Sequence, residues 1–230
     1  MLVLHYAPDN ASLIVRLTLE EMGLPYRTAL VDRARRAQDS AEYRAVNPTG
    51  LIPALQSATA TLFETGAILL WLTETQGAMA PAPGHPERAD FLKWLFFTAN
   101  TLHADARMHF YHDQYSGTSE APNAFRRATE ARLLRHLALL DGVAARAPGY
   151  LRADVPSVLG YYVMCLCRWI TLYPADREGW LQLSDFPALH DLGLGLQARP
   201  AALRVAAAEG LGPEIFSRPR YANPPEGAVL

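Results

Sequence analysis

Cysteine is scarce in this chain: Cys165 and Cys167 are the only two in 230 residues. Two thiols are too few for a disulfide framework, which points to a reducing, cytoplasmic setting. They stand two apart within a helical pattern, on nearly opposite sides, so buried packing rather than bridging is the role expected of them. There is no C-x-x-C run, so any redox chemistry has to use the thiol of a bound ligand. Excess charge is missing as well. A formal net charge of −2 offers no electrostatic footprint for nucleic acid. The one basic cluster, Arg33, Arg35 and Arg36, is flanked by Asp32 and Asp39 and reads as a solvated face. No apolar run is long enough for a membrane span, and the opening Met1-Leu2-Val3-Leu4-His5-Tyr6 has no basic lead before Pro8 and Asp9 interrupt it, so no signal peptide is expected. Internal repeats are absent too.

What is there suits two modest domains, since half of the chain is apolar and can form a core without staples. Leu2-Val3-Leu4 reads as a strand; Leu13, Ile14, Leu17 and Met22 then recur at helical spacing until Gly23-Leu24-Pro25. Residues 26–31 read as a second strand, 39–46 as a short helix, 52–56 and 59–63 as a hairpin, and 64–76 as a helix closed by Gly77. That order, β-α-β-α-β-β-α, is the thioredoxin-like pattern, and its first two strands should be parallel. Pro81, Pro83, Gly84 and Pro86 stiffen a linker over 78–86. The rest is expected to be all-helical, over 87–115, 122–146, 157–173, 187–198 and 200–209, with prolines between the pieces. The domains expected are therefore 1–77, thioredoxin-like, and 87–216, helical, followed by a tail over 217–230 that should wander over the surface or be disordered.

The most specific signal is the run Asn47-Pro48-Thr49-Gly50-Leu51-Ile52-Pro53-Ala54-Leu55, with Glu64-Thr65-Gly66 soon after. A proline at the mouth of an apolar strand removes a ladder donor, and a cis Ile52-Pro53 bond is expected there, turning the N–H and C=O of Ile52 outward to pair with an extended peptide. Glu64 and Thr65 open a helix, where side chains and free N–H groups can hold a carboxylate and an amine together. The two runs describe a clamp for a small peptide with an amino-acid head.

On these residues the chain resembles the glutathione transferase family, from Met1 to about the last twenty residues. The resemblance implies that Ile52 pairs through its main chain with the cysteinyl part of glutathione, that Pro53 is the family's proline, and that Glu64 and Thr65 bind the γ-glutamyl head. Leu51 stands where relatives usually place a Gln, Lys or Arg that helps to hold the peptide; it forfeits that polar contact, and a modest affinity for glutathione is expected. A helix cap of the second domain is matched by Ser157-Val158-Leu159-Gly160, with a capping hydroxyl but no carboxylate three residues on. The resemblance further implies a two-fold dimer.

The chemistry of such a protein turns on the loop Tyr6-Ala7-Pro8-Asp9-Asn10-Ala11-Ser12. Relatives of the serine classes carry a serine where this chain has Asp9, the bacterial cysteine class has its cysteine where this chain has Ala11, and the tyrosine classes use a tyrosine that Tyr6 matches locally. The donor to the glutathione sulfur is thus Asn10, Ser12 or Tyr6, in that order of preference; a carboxylate at Asp9 would repel a thiolate. Thr101-Leu102-His103 resembles the Glu-Leu-His run of the bacterial cysteine class and brings His103 to the mouth of a substrate pocket, with Phe97, Phe110, Tyr111 or Tyr115 as its aromatic wall. Asp105, His109 and His112 have helical spacing that a divalent ion could use, but exposed helices often collect such residues, and no metal is expected.

The expected activity is glutathione transfer: attack of the glutathione thiolate on a small apolar electrophile. A glutathione-dependent disulfide reductase is the second reading, and a binding or scaffold protein that keeps the fold without turnover is the third. Glutathione as cosubstrate and the electrophile are the partners expected.

Overall fold

A computed structural model describes residues 1–116 and 122–223. The first elements are β1 (Leu2–Tyr6), α1 (Ser12–Glu21), β2 (Tyr26–Leu30), α2 (Ala41–Val46), β3 (Ala54–Gln56), β4 (Thr61–Phe63) and α3 (Thr65–Gln76). They form a four-stranded sheet of order β2-β1-β3-β4. β1 pairs parallel with β2, Leu4 opposite Thr28, and antiparallel with β3, Leu4 opposite Leu55, while β3 and β4 make the hairpin. This is a thioredoxin-like unit. Ser40 caps α2 by accepting the Tyr43 N–H at 3.1 Å, and α3 ends on Gly77 at φ 64°, a left-handed closure that glycine adopts without strain. The Ile52–Pro53 and Tyr173–Pro174 peptides are cis.

The remainder is helical: α4 (Arg88–Phe97), α5 (His103–Phe110), α6 (His112–Ser116), α7 (Pro122–Ala144), α8 (Val158–Leu172), α9 (Pro187–Gln197) and α10 (Pro200–Ala208). The helix expected over 87–115 is not continuous. Residues 98–102 form a π-helical turn in which the His103 N–H reaches back to the Thr98 carbonyl, and Tyr111 leaves the helical region at φ −117°, ψ 40°. A wide turn inserts a residue into the face of a helix and rotates the side chains beyond it, a shift that apolar periodicity does not encode.

Two clusters make the core. Leu4, Tyr6, Val15, Leu19, Leu55, Ile68 and Leu72 fill the space between the sheet and the helices α1 and α3. Leu13, Ile14, Leu17 and Leu69, from the opposite sides of those helices, join a larger cluster with the helical layer. α1 is therefore covered on two sides. α8 is buried nearly all round, consistent with its apolar composition, and includes both free cysteines. Each large aliphatic side chain enclosed this way stabilises the fold by about 1.5–3 kcal/mol.

The tail departs from expectation. Residues 217–223 pack down: the Tyr221 hydroxyl donates to the Leu172 carbonyl at 2.7 Å, the Asn223 N–H donates to the Gly210 carbonyl at 2.9 Å, and the Arg220 carbonyl accepts from Arg168 at 2.6 Å. The buried Arg168 guanidinium needs the Arg220 carbonyl as an acceptor, and only the fold shows that the tail supplies it. Pro224 and Pro225 lie outside the described residues.

At the start of α8, Ser157 Oγ accepts the Gly160 N–H at 3.0 Å and donates to the Tyr150 carbonyl at 2.5 Å. Replacing Ser157 by Ala removes a helix cap and leaves two buried groups unmatched, which costs about 1–2 kcal/mol. Thermal unfolding is expected to show a midpoint lowered by roughly 2–8 °C. An unchanged midpoint contradicts the cap.

Candidate functional site

A cleft of about 530 Å³ lies between the thioredoxin-like unit and the helices. Its sheet-side wall is the turn after β1 (Asp9, Asn10, Ala11), the loop through Asn47, Leu51, Ile52 and Pro53, and the start of α3 at Glu64, Thr65 and Gly66. The opposite wall comes from the π-helical turn, α5, α6, α8 and the segment after it. Leu51, Ile52, Pro53, Glu64, Thr65, Asn10 and His103 thus share one cavity.

The 47–53 loop is held by its own polar groups. Asn47 Nδ2 and the Tyr43 hydroxyl both donate to the Leu51 carbonyl, at 2.7 and 2.6 Å, while Asn47 Oδ1 accepts from the Thr49 N–H at 3.1 Å. Gly50 sits at φ 69°, and a Cβ there would lie 3.1 Å from the Gln38 carbonyl, so the turn requires glycine. The loop leaves the N–H and C=O of Ile52 without a backbone partner among the described residues, on the rim of the cleft. At the next corner Glu64 adopts φ 68° and ψ 112°, which presents its carboxylate beside the buried Thr65 and the unpaired first N–H groups of α3.

The turn after β1 is anchored from behind. Asp9 is buried at φ 51°, and its carboxylate accepts from Arg168 Nε and Nη2 at 2.8 and 2.7 Å and from the Trp169 indole at 2.7 Å. Its N–H donates to Glu209 Oε2 at 2.9 Å, and Glu209 pairs with Arg16 at 3.2 Å. Burial pushes the Glu209 carboxyl up to about 7. Arg168, fully enclosed, also donates to the carbonyls of Ile215 and Arg220. Asp9 is therefore a neutralised anchor.

Of the donor candidates, Asn10 faces the cleft. Its Oδ1 accepts the Ala11 N–H at 2.8 Å, which leaves the amide Nδ2 as the end able to donate. Ser12 does not face the cleft: it is buried, and its hydroxyl donates to the Ala7 carbonyl at 3.0 Å and accepts the Ala7 N–H at 3.3 Å, fastening the strand to the helix. Tyr6 is not part of the cleft wall either. Its ring lies in the sheet-side core with the Arg16 guanidinium 5.3 Å from its centroid.

On the helical wall, His103 Nδ1 meets the Tyr162 hydroxyl at 2.8 Å, edge to face, with Trp169 6.5 Å away. Phe97 is turned from the cleft and packs on Trp94 and His136 at 5.3 and 5.4 Å. Phe110 and Tyr111 provide the aromatic wall instead, and Tyr115 does not, since its hydroxyl accepts from Arg107. Asp105, His109 and His112 do not converge. Asp105 is taken by Arg132 and His136, His109 is enclosed beside Trp180, and His112 meets Arg126. No metal-binding group of residues is present among the described residues.

Sequence reading overlooked Arg33, Asn100, Arg107, Tyr162 and Trp169 as cleft residues. Asn100, His103, Arg107, Tyr111 and Gln114 recur three or four residues apart, so a polar stripe at helical spacing was a usable signal for that wall. No local pattern marks Arg33.

Burial of its imidazole, with repulsion from Arg107 adding to it, lowers His103 to about 4 from 6.5. A proton taken up more readily by the unfolded chain makes this group a source of stability that is full above pH 6.5 and is lost as pH falls toward about 4. The ring is then neutral at pH 7, and in the tautomer whose Nδ1 accepts from the Tyr162 hydroxyl it carries an Nε2–H. Proton resonances of the His103 ring are expected to titrate below about pH 5, near the value of about 4; a midpoint at 6.5 contradicts a buried neutral ring.

A family model for the glutathione S-transferase N-terminal domain matches residues 11–75. The chain is 28% identical over 222 residues to disulfide-bond oxidoreductase YfcG of Escherichia coli strain K12, covering 93% of this chain and 98% of that protein. It is 25% identical over 213 residues to glutathione S-transferase GstA of Escherichia coli O157:H7, covering 90% of this chain and 98% of that one. Among solved structures it is similar to a sphingomonad glutathione S-transferase complexed with glutathione, with a TM-score of 0.72, 29% identity, and 91% and 100% of the two chains covered. Sheet order, helical layer and full-length similarity agree: residues 11–75 match the glutathione S-transferase N-terminal domain, and the chain as a whole is similar to glutathione transferases.

Proposed function

We propose that the protein binds glutathione in this cleft and conjugates its thiolate to a small electrophile. The observation that carries the reading is the single cavity joining the free main chain of Ile52 to Glu64, Thr65 and the amide of Asn10. Ile52 pairs with the cysteinyl main chain beside Pro53, and Leu51 lies over the peptide without a polar contact. Glu64 takes the γ-glutamyl amine, and Thr65 with the first N–H groups of α3 takes its carboxylate. This directs the sulfur toward the opening of α1 and Asn10 Nδ2.

A free thiol ionises near ~8.5, and each unit of lowering needs about 1.4 kcal/mol. One hydrogen bond to a charged group contributes about 1.5–3 kcal/mol, and a helix N-terminus about 0.3–1 kcal/mol. Asn10, two residues ahead of α1, together with the helix N-terminus therefore suffices to lower the bound thiol by about one to two units. The thiolate attacks the electrophilic carbon, the carbon–sulfur bond forms as the leaving group departs with its electron pair, and the thiol proton passes to solvent. His103, a neutral donor on the facing wall, stabilises the departing group or the electrophile's oxygen. A cytoplasmic homodimer belongs to the same proposal.

Glutathione-dependent disulfide reduction is the second reading, favoured by similarity to the oxidoreductase and by the state of the chain's own thiols. Burial pushes Cys167 up to about 12 and Cys165 well above its usual value, so neither is a reactive thiolate. Glutathione thiolate would attack the disulfide, releasing one thiol and leaving a mixed disulfide that a second glutathione reduces.

Replacing Glu64 by Ala is expected to weaken glutathione binding about 10- to 100-fold in calorimetry, the scale of charge-assisted hydrogen bonds lost. Replacing Asn10 by Ala should leave that affinity within about twofold and raise the pH midpoint of kcat/KM by about one unit. Conjugation of a chloronitrobenzene and reduction of hydroxyethyl disulfide decide between the two reactions. An Asn10 variant with an unshifted profile in both assays rules Asn10 out as the donor.

A further inference from the structure

Arg107 lies on the helical wall, half-buried, with its Nε donating to the Tyr115 hydroxyl at 2.9 Å and its guanidinium 5.4 Å from the centroid of the Tyr111 ring. The two tyrosines hold the fork, yet its terminal nitrogens have no hydrogen-bond partner and it forms no ion pair among the described residues. Arg33, at the other lip, is likewise without an ion pair among the described residues, although Arg35 and Arg36 beside it are matched by Asp32 and Asp39. The carboxylates on the cleft are Asp9, consumed by Arg168 and Trp169, and Glu64, assigned above to the glutathione amine. The electrophile half of the cavity therefore carries unmatched positive charge beside an aromatic wall of Phe110 and Tyr111.

We infer that the second substrate carries a carboxylate, received by the terminal nitrogens of Arg107, with its apolar body against Phe110 and Tyr111. This rests on glutathione occupying the clamp. A planar guanidinium fixed at Nε presents two parallel donors, the geometry that suits a carboxylate. An uncharged apolar electrophile would leave that charge unanswered. The same carboxylate chemistry has two sources: a carboxylated electrophile, or the far half of a glutathione disulfide.

Calorimetry with matched ligands separates them. S-(4-carboxy-2-nitrophenyl)glutathione is compared with S-(2-nitrophenyl)glutathione, and glutathione disulfide with the ethyl mixed disulfide of glutathione. The native protein is expected to bind the carboxylated member of one pair about tenfold more tightly. Arg107→Gln should abolish that preference while affinity for glutathione itself stays unchanged, and Arg107→Lys should keep part of it, as a point charge without the fork. Preference in the aryl pair identifies a carboxylated electrophile, and preference confined to the disulfide pair identifies a second glutathionyl group. Equal affinities within both pairs, or a preference that survives Arg107→Gln, overturn the inference while leaving the clamp intact. Absence of glutathione binding to the native protein overturns the clamp reading and this inference with it.

Discussion

The cleft depends on a buried ion pair. Asp9 and Arg168 are both withdrawn from water, and moving two such charges into a protein interior costs several kcal/mol each unless every lone pair and proton is answered. Here nearly all are: two guanidinium nitrogens and an indole N–H on the carboxylate, and two backbone carbonyls on the rest of the guanidinium. The pair joins the turn after β1 to α8 and to the C-terminal segment, while the Asp9 N–H reaches α10's end through Glu209. The two walls of the cleft are thereby held in register across the boundary between sheet and helices.

That anchoring explains a carboxylate next to a proposed thiolate site. An ionised Asp9 facing the cleft would raise a thiol's pKa, but with its charge matched by Arg168 the turn can keep an acidic residue and still present Asn10. The walls then divide the work by chemistry. The thioredoxin-like side offers main-chain groups and the Glu64–Thr65 corner, which suit the proposed peptide with its amino-acid head. The helical side offers side chains, His103, Arg107 and the aromatics, which read whatever the sulfur meets.

Local signals made much of this visible in the sequence. Strand and helix order through Gly77 followed from periodicity, glycine and proline, and the Asn47–Leu55 and Glu64–Thr65 runs marked the corners of the cleft because each is a short segment whose backbone behaviour is set by its own residues. Features that depend on distant contacts were not visible. Ser12 read as a donor, but its hydroxyl is consumed by Ala7. Tyr6 faces the core, a matter of which side of β1 meets α1. Phe97 lost its expected place in the same helical region, where the π-helical turn between it and Phe110 shifts a phase that apolar spacing does not reveal. The segment from 217 looked free because its acceptors serve an arginine about fifty residues earlier.

Glutathione is proposed to lie along Ile52 with its head at Glu64 and its sulfur at the start of α1. A crystal structure of the protein soaked in glutathione tests it most directly. Main-chain pairing at Ile52 and the sulfur within about 3.5 Å of Asn10 Nδ2 are the expected result. Glutathione bound elsewhere, or with its sulfur turned away from the opening of α1, would contradict it.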